Sequence, residues 1–285
     1  MTEPAAGLRM AVVEEGASPR LRILFPWQTD FTTGIEVLFP EHTWGRDRST
    51  KQVERLYIAT PIGRPRTDLS TYFSGWHREG NSLLYEMDLK NKVRMRAQAT
   101  LELDGVRYSY TFTNHSATEY EELQAVTDPR LSGIVQDIFL KRTYVHREGR
   151  FELLASDTPQ RLQMSAGEWL PCRYMDSYEW SVPAPDKRVE KKEGITYYNA
   201  SRPVDEPFIA TVSEDGKWIV ATYTSRTGNV WSNPELTCQH ADPSITLEPG
   251  QTRRVELKTF LFRGSLADLW IKIRAEKQSR MPKSY

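Results

Sequence analysis

Histidine and cysteine are scarce in this chain of 285 residues, which has five of the first and two of the second. Cys172 and Cys238 are too few for a disulfide framework and read as reduced thiols. Charge of one sign is also missing: Lys plus Arg equals Asp plus Glu at 38 each, a formal net charge of zero. That balance argues against nucleic acid or an anionic membrane surface as partner and favours a small or neutral ligand. No apolar run is long enough to cross a bilayer. Met1 to Gly7 lacks the basic start and apolar stretch of a secretion signal, so a cytoplasmic protein is expected, a mature periplasmic one being the alternative. Gly-rich phosphate loops, Gly-x-Ser-x-Gly elbows and dinucleotide fingerprints are absent, which removes most nucleotide and serine hydrolase chemistry and implies no cofactor.

Aromatic side chains are plentiful, with 13 Tyr and 8 Trp. Such rings build sandwich cores and also stack on sugar faces. Strand-like alternation dominates: Val106, Tyr108, Tyr110 and Phe112 share one face, opposite Arg107, Ser109, Thr111 and Thr113. Asp104-Gly105 turns this strand back on Val93 to Leu103, and Asp215-Gly216 joins Phe208 to Ser213 with Lys217 to Thr224. The last of these is apolar on both faces, as a strand covered on both sides must be. Further strands are expected at Leu21 to Pro26, Gln52 to Ala59, Ser82 to Leu89, Tyr120 to Thr127, Phe139 to Arg147, Arg150 to Ala155, Gly194 to Ala200 and Arg253 to Arg263. Many short strands between turns predict one all-β sandwich or barrel over 1–285, with long loops near 41–52 and 181–193. A helix closes the chain, where Ser265 caps, Asp268 follows three residues on, and Leu266, Leu269, Trp270 and Ile273 form a stripe.

Scarce reactive residues concentrate in Thr237-Cys238-Gln239-His240-Ala241-Asp242-Pro243. In a strand, Cys238 and His240 share a face; the spacing is no established zinc pattern, and no metal is assigned. Over Phe139 to Arg147 the two-residue period sets Leu140, Arg142, Tyr144 and His146 together, a cation, a ring and an imidazole suited to binding and proton transfer. Over Arg173 to Trp180 it groups Tyr174, Asp176, Tyr178 and Trp180, a carboxylate among rings that burial would turn into a general acid. The alternatives are an exposed mixed face for the first and a packed core for the second. His77, after Trp76, is a candidate pocket wall or a surface loop residue.

Two segments then resemble the galactose mutarotase (aldose 1-epimerase) superfamily. Thr113-Asn114-His115-Ser116 is similar to its Thr-Asn-His-Ser segment, and the Cys238 stretch, followed by Leu247-Glu248-Pro249-Gly250, to its late Glu-Thr-Gln-His-x-Pro-Asp segment and Leu-x-Pro-Gly turn. The resemblance implies a large antiparallel β supersandwich with a sugar on its concave sheet, His115 and Gln239 as contacts, and His240 as a site residue. His146 stands where a catalytic acid is sought. The family's catalytic Glu aligns with Thr237, which cannot serve as a carboxylate base. Glu235, two residues earlier, is the candidate substitute.

These readings imply a carbohydrate-active isomerase, lyase or hydrolase using His146, His240, Asp176 and Glu235, with His115, Arg142, Tyr144, Tyr174, Tyr178, Trp180, His77 and Gln239 binding substrate. A non-catalytic carbohydrate-binding protein is the first alternative. A metal-dependent lyase or oxidase is the second.

Overall fold

A computed structural model describes residues 7–13, 18–60, 72–158, 163–165, 168, 170–177, 189–199 and 203–280. In chain order the strands are β1 (Arg9–Val12), β2 (Arg20–Leu24), β3 (Ile35–Asp47), β4 (Val53–Ile58), β5 (Tyr72–Phe73), β6 (His77–Glu79), β7 (Ser82–Leu89), β8 (Val93–Glu102), β9 (Gly105–Asn114) and β10 (Tyr120–Arg130). There follow β11 (Thr143–Arg147), β12 (Arg150–Leu153), β13 (Cys172–Ser177), β14 (Val189–Lys192), β15 (Ile195–Asn199), β16 (Phe208–Val212), β17 (Trp218–Thr224), β18 (Asn229–Asn233), β19 (Cys238–His240), β20 (Ser244–Leu247) and β21 (Thr252–Arg263), then helix α1 (Leu266–Arg280).

They form two sheets. The first runs β1-β2-β3-β10-β19-β18-β13-β15-β14, with β4 on β3 and β20 on β10; the second runs β12-β11-β16-β17-β21-β9-β8-β7-β5, with β6 on β7. Among the described residues every pairing is antiparallel except β13 with β15. The expected architecture, one large antiparallel β sandwich with a C-terminal helix, is the architecture observed.

Alternation explains how the sheets join. Ile23, Val37, Phe39 and Ala125 of the first sheet pack on Tyr85, Tyr108, Tyr110 and Phe112 of the second, and each large aliphatic or Phe side chain buried there contributes about 1.5–3 kcal/mol. The Phe39 ring sits 5.1 Å from Tyr108 and 4.8 Å from Tyr110. Tyr110 reaches across to share a 2.7 Å hydrogen bond with Thr127 of β10. Because odd positions of β10 such as Ala125 and Thr127 fill this core, Asp128 and Arg130 face outward.

The outer face of the second sheet is covered by α1. Leu269 and Ile273 pack on Phe208, Ala210, Ile219, Ala221, Tyr223 and Phe260, which is why β17 is apolar on both faces. The helix begins on the expected box: the Asp268 carboxylate accepts from the Ser265 N–H at 2.7 Å, and Ser265 Oγ accepts from the Asp268 N–H at 3.3 Å.

Three expectations are corrected. Residues 41–47 are not loop but the second half of β3, whose charged side chains lie on the solvent face of a half-buried strand. Residues 189–192 of the second expected loop form β14, while 181–188 lie outside the described residues. The strand predicted from Phe139 starts only at Thr143, because Leu140 takes a positive φ of 51° and Asp137 gathers the N–H groups of Lys141 and Arg142 into a turn.

Candidate functional site

The outer face of the first sheet carries a groove of about 560 Å³ that crosses its central strands. Its floor is β19, where Cys238 and His240 point outward together, as two-residue alternation requires. Asp128 and Arg130 come from β10, Trp231 from β18 and Arg173 from β13. Glu41 and His42 reach it because the β3–β10 register slips there: Val126 faces His42, yet Asp128 already faces Leu38. The two extra residues bulge β3 and turn its side chains toward the groove.

At the floor, His240 lies flat against Trp231, with ring centroids 3.6 Å apart and planes 4° from parallel. Its Nδ1 meets Asp242 Oδ2 at 3.2 Å. Its Nε2 lies 3.1 Å from Cys238 Sγ and 3.6 Å from Asp128 Oδ1. Asp242 is itself fixed: its other oxygen accepts from the Thr127 N–H at 2.8 Å, and its carbonyl accepts from Thr227 Oγ1 at 2.7 Å. Burial disfavours the imidazolium, but Asp242, Asp128 and Glu41 outweigh it and raise His240 above its ordinary value. Burial, reinforced by Asp128, pushes the Cys238 thiol well up. Glu41 is held below the usual carboxylate range: burial works against ionisation, and His42, His240 and Arg130 prevail. Glu41 is half-buried and contacts His42 Nδ1 at 3.5 Å and Arg130 Nη2 at 3.6 Å.

Expected site residues divide by face. His240 lines the groove. Gln239, its neighbour, points the other way into the core, donating to Thr211 Oγ1 at 2.8 Å and the Val220 carbonyl at 3.1 Å. Its side chain lies on the opposite face of the strand from the groove. Glu235 stands in the turn before β19, where it accepts from Arg173 Nη1 at 2.6 Å and the Cys172 N–H at 3.3 Å; it orients a groove arginine. Thr237 sits in the same turn at a φ of 49°, its hydroxyl donating to the Leu131 carbonyl at 2.6 Å.

Tyr174 faces inward, stacked on Tyr198 at 4.6 Å and hydrogen-bonded to Thr158, so the core alternative holds for it. Cys172 belongs to the same inner cluster, on the opposite side of the sheet from Cys238. The Asp176 backbone lies in β13, but its side chain, like Tyr178 and Trp180, lies outside the described residues.

His146 is far from this arrangement in the layer order. It is on β11 of the second sheet, stacked on Trp270 of α1 at 3.9 Å, with Nδ1 at 2.7 Å from Asp205. Tyr144 shares its face by alternation. Arg142 precedes the strand and is consumed by backbone carbonyls, Val212 at 2.5 Å, Ile134 at 3.3 Å and Gln136. The core between the sheets separates all three from His240. His115 is exposed just past β9, its N–H given to the Lys92 carbonyl at 2.8 Å. In that segment Asn114 is the buried member, donating to the Thr118 and Leu247 carbonyls at 2.7 and 3.3 Å. His77 is an exposed residue of the short β6.

A larger cavity of about 1190 Å³ opens beside Trp27 and Trp218 at one end of the sandwich. Four of its charges pair with one another, Lys272 with Asp104 at 2.7 Å and Lys217 with Asp215 at 3.6 Å. The groove is different: there a carboxylate, an imidazole, a thiol and an aromatic wall converge. Glu41, Asp128, Arg130, Trp231 and Asp242 were not singled out from sequence.

No protein-family model matches the sequence, and no curated protein matches it. The chain superposes on the α-N-acetylgalactosaminidase NagBb of Bifidobacterium bifidum, in its GalNAc complex, with a TM-score of 0.51 at 10% identity, covering 99% of this chain and 38% of that one. The two share a fold. The galactose mutarotase related enzyme of Lactobacillus acidophilus aligns at a TM-score of 0.44 and 9% identity, over 90% of this chain and 98% of that one. This chain thus spans under two fifths of the longer bifidobacterial protein and nearly the whole of the lactobacillar one.

Proposed function

We propose that this chain binds a carbohydrate in the groove of the first sheet and acts on it by proton transfer between Glu41 and His240. The observation that carries the reading is the convergence of a carboxylate and an imidazole on one groove walled by Trp231. A volume of about 560 Å³ suits a small sugar. Trp231 offers an apolar ring, and Arg130 and Arg173 offer fixed donors to hydroxyl oxygens. Glu41 takes the place left open by Thr237: a carboxylate at the groove wall that accepts a proton from a hydroxyl or carbon acid. His240, oriented by Asp242, donates to the oxygen that gains charge, as in isomerase, lyase or hydrolase chemistry. The fold shared with part of an enzyme crystallised with GalNAc agrees with a sugar ligand and names no reaction.

The near-complete burial of His240 favours a second reading, a carbohydrate-binding protein without turnover. An NMR anomerisation assay with a screen of glycosides and uronides separates the two. Turnover that drops about 10²–10⁴-fold in Glu41→Gln and His240→Gln supports the enzyme. Calorimetric binding without turnover supports the binding protein. A chain that neither binds nor converts any sugar of the screen ends both.

A further inference from the structure

Asp128 is 1% exposed, and its Oδ2 is taken by Arg130 Nε at 2.7 Å. Its Oδ1 is buried and accepts no hydrogen bond. A buried carboxylate oxygen that lacks a hydrogen bond and has only the His240 ring at 3.6 Å costs on the order of 1–3 kcal/mol or more, so its surroundings matter. It faces Cys238 and His240, each also 1% exposed, and the three ligand atoms Oδ1, Sγ and Nε2 lie within 4.8 Å of one another.

We propose that Asp128, Cys238 and His240 form a binding site for a divalent transition metal of the zinc type at the floor of the groove. Tetrahedral coordination with ordinary zinc bonds to sulfur, nitrogen and oxygen sets ligand atoms roughly 3.3–3.6 Å apart. Nε2 is 3.1 Å from Sγ and 3.6 Å from Oδ1, so those two separations need only a few tenths of an ångström. The remaining one, between Sγ and Oδ1, is at most 4.8 Å and closes with a shift of no more than about 1.2 Å. A thiolate, an imidazole and a carboxylate are a donor set for zinc or cobalt and unsuited to magnesium or calcium. Asp242 on Nδ1 is the outer carboxylate that orients a ligating histidine, and Trp231 locks the ring plane. Arg130 plays the same part for Asp128 by holding the oxygen that does not ligate. Three protein ligands leave a fourth position toward the groove, the pattern of a catalytic rather than structural site.

The inference goes beyond the sugar reading and does not depend on it. Where both hold, the cation replaces the imidazolium as electrophile at the same oxygen, and Glu41 keeps its role.

The test uses the full chain stripped with chelator and titrated with Co²⁺, then Zn²⁺. One equivalent of Co²⁺ is expected to produce a thiolate charge-transfer band in the near ultraviolet, which Zn²⁺ abolishes. Cys238→Ser should lose the band and Cys172→Ser keep it. Asp128→Asn, which preserves shape, should weaken Co²⁺ binding at least 10-fold while the circular dichroism spectrum stays unchanged. No band at millimolar Co²⁺, a band that survives Cys238→Ser, or one lost in a folded Cys172→Ser overturns the proposal. A band in a chain that binds no sugar leaves the metal site standing and removes only the carbohydrate reading.

Discussion

His146 and His240 are built alike on opposite outer faces of the sandwich. Each stacks on a tryptophan, at 3.9 and 3.6 Å, and each offers Nδ1 to an aspartate, at 2.7 and 3.2 Å. What differs is the cover. His146 lies beneath α1, stacked on Trp270, with Phe151 edge-on at 5.1 Å. Among the described residues no helix covers His240; Cys238 and Asp128 crowd its other nitrogen, and a groove opens beside it. A ring stack and a carboxylate therefore make a rigid histidine, not an active one. Chemistry depends on what the second nitrogen meets and whether ligand can reach it.

The largest break in this symmetry is expected from the tryptophans. Trp270→Ala strips the ring that joins α1 to His146 and Phe151; for a half-buried tryptophan the cost is about 2–3 kcal/mol, below the range for full burial. Trp231→Ala should cost less stability and instead weaken sugar affinity at least about 10-fold, the worth of one ring stacked on a ligand. Urea unfolding and calorimetry on both variants measure the two effects. Equal stability losses with no change in affinity would show that the two stacks play one structural role.

A smaller effect separates the two faces of a single strand. Gln239→Leu keeps volume but leaves the Val220 carbonyl and the Thr211 hydroxyl without their amide donor, at a cost of about 2 kcal/mol. Sugar affinity should not change. A variant of wild-type stability that no longer binds would return Gln239 to the site, where the sequence resemblance had placed it.

Gln239 also shows how far the sequence could be read. Alternation put Cys238 and His240 on one face, and the same rule turns Gln239 away; there the short motif resemblance conflicted with the period, and the period was right. Local signals held elsewhere: β7 spans the predicted Ser82 to Leu89, Asp104-Gly105 makes its hairpin, and Ser265 caps α1. The groove was harder to see. Asp128 reaches His240 only because β10, more than a hundred positions earlier in the chain, lies beside β19, and Trp231 because β18 lies on its other side. Such pairings have no local pattern. Glu41 was hidden by a bulge that took a charged strand for a loop, and the distance between His146 and His240 by the assignment of their strands to different sheets.

The smallest effect tests the aspartate under His146. Burial pushes the Asp205 carboxyl up, but the Gly149 N–H, His146 and the Glu148 N–H outweigh it and hold it below the usual range. A depressed folded-state pKa stabilises the protein above the unfolded carboxylate value, and the gain is lost as pH falls through the folded value. Asp205 is about a third exposed, 36% by side-chain area, so solvent screening limits the contribution to roughly 1 kcal/mol. Asp205→Asn should therefore be less stable than wild type by about that amount at pH 6, with the gap closing below pH 4 or so as Asp205 protonates. Urea midpoints from pH 3 to 7 give the profile. A gap that stays constant across this range would mean that Asp205 holds His146 by shape alone, and the likeness between the two histidines would then stop at their rings.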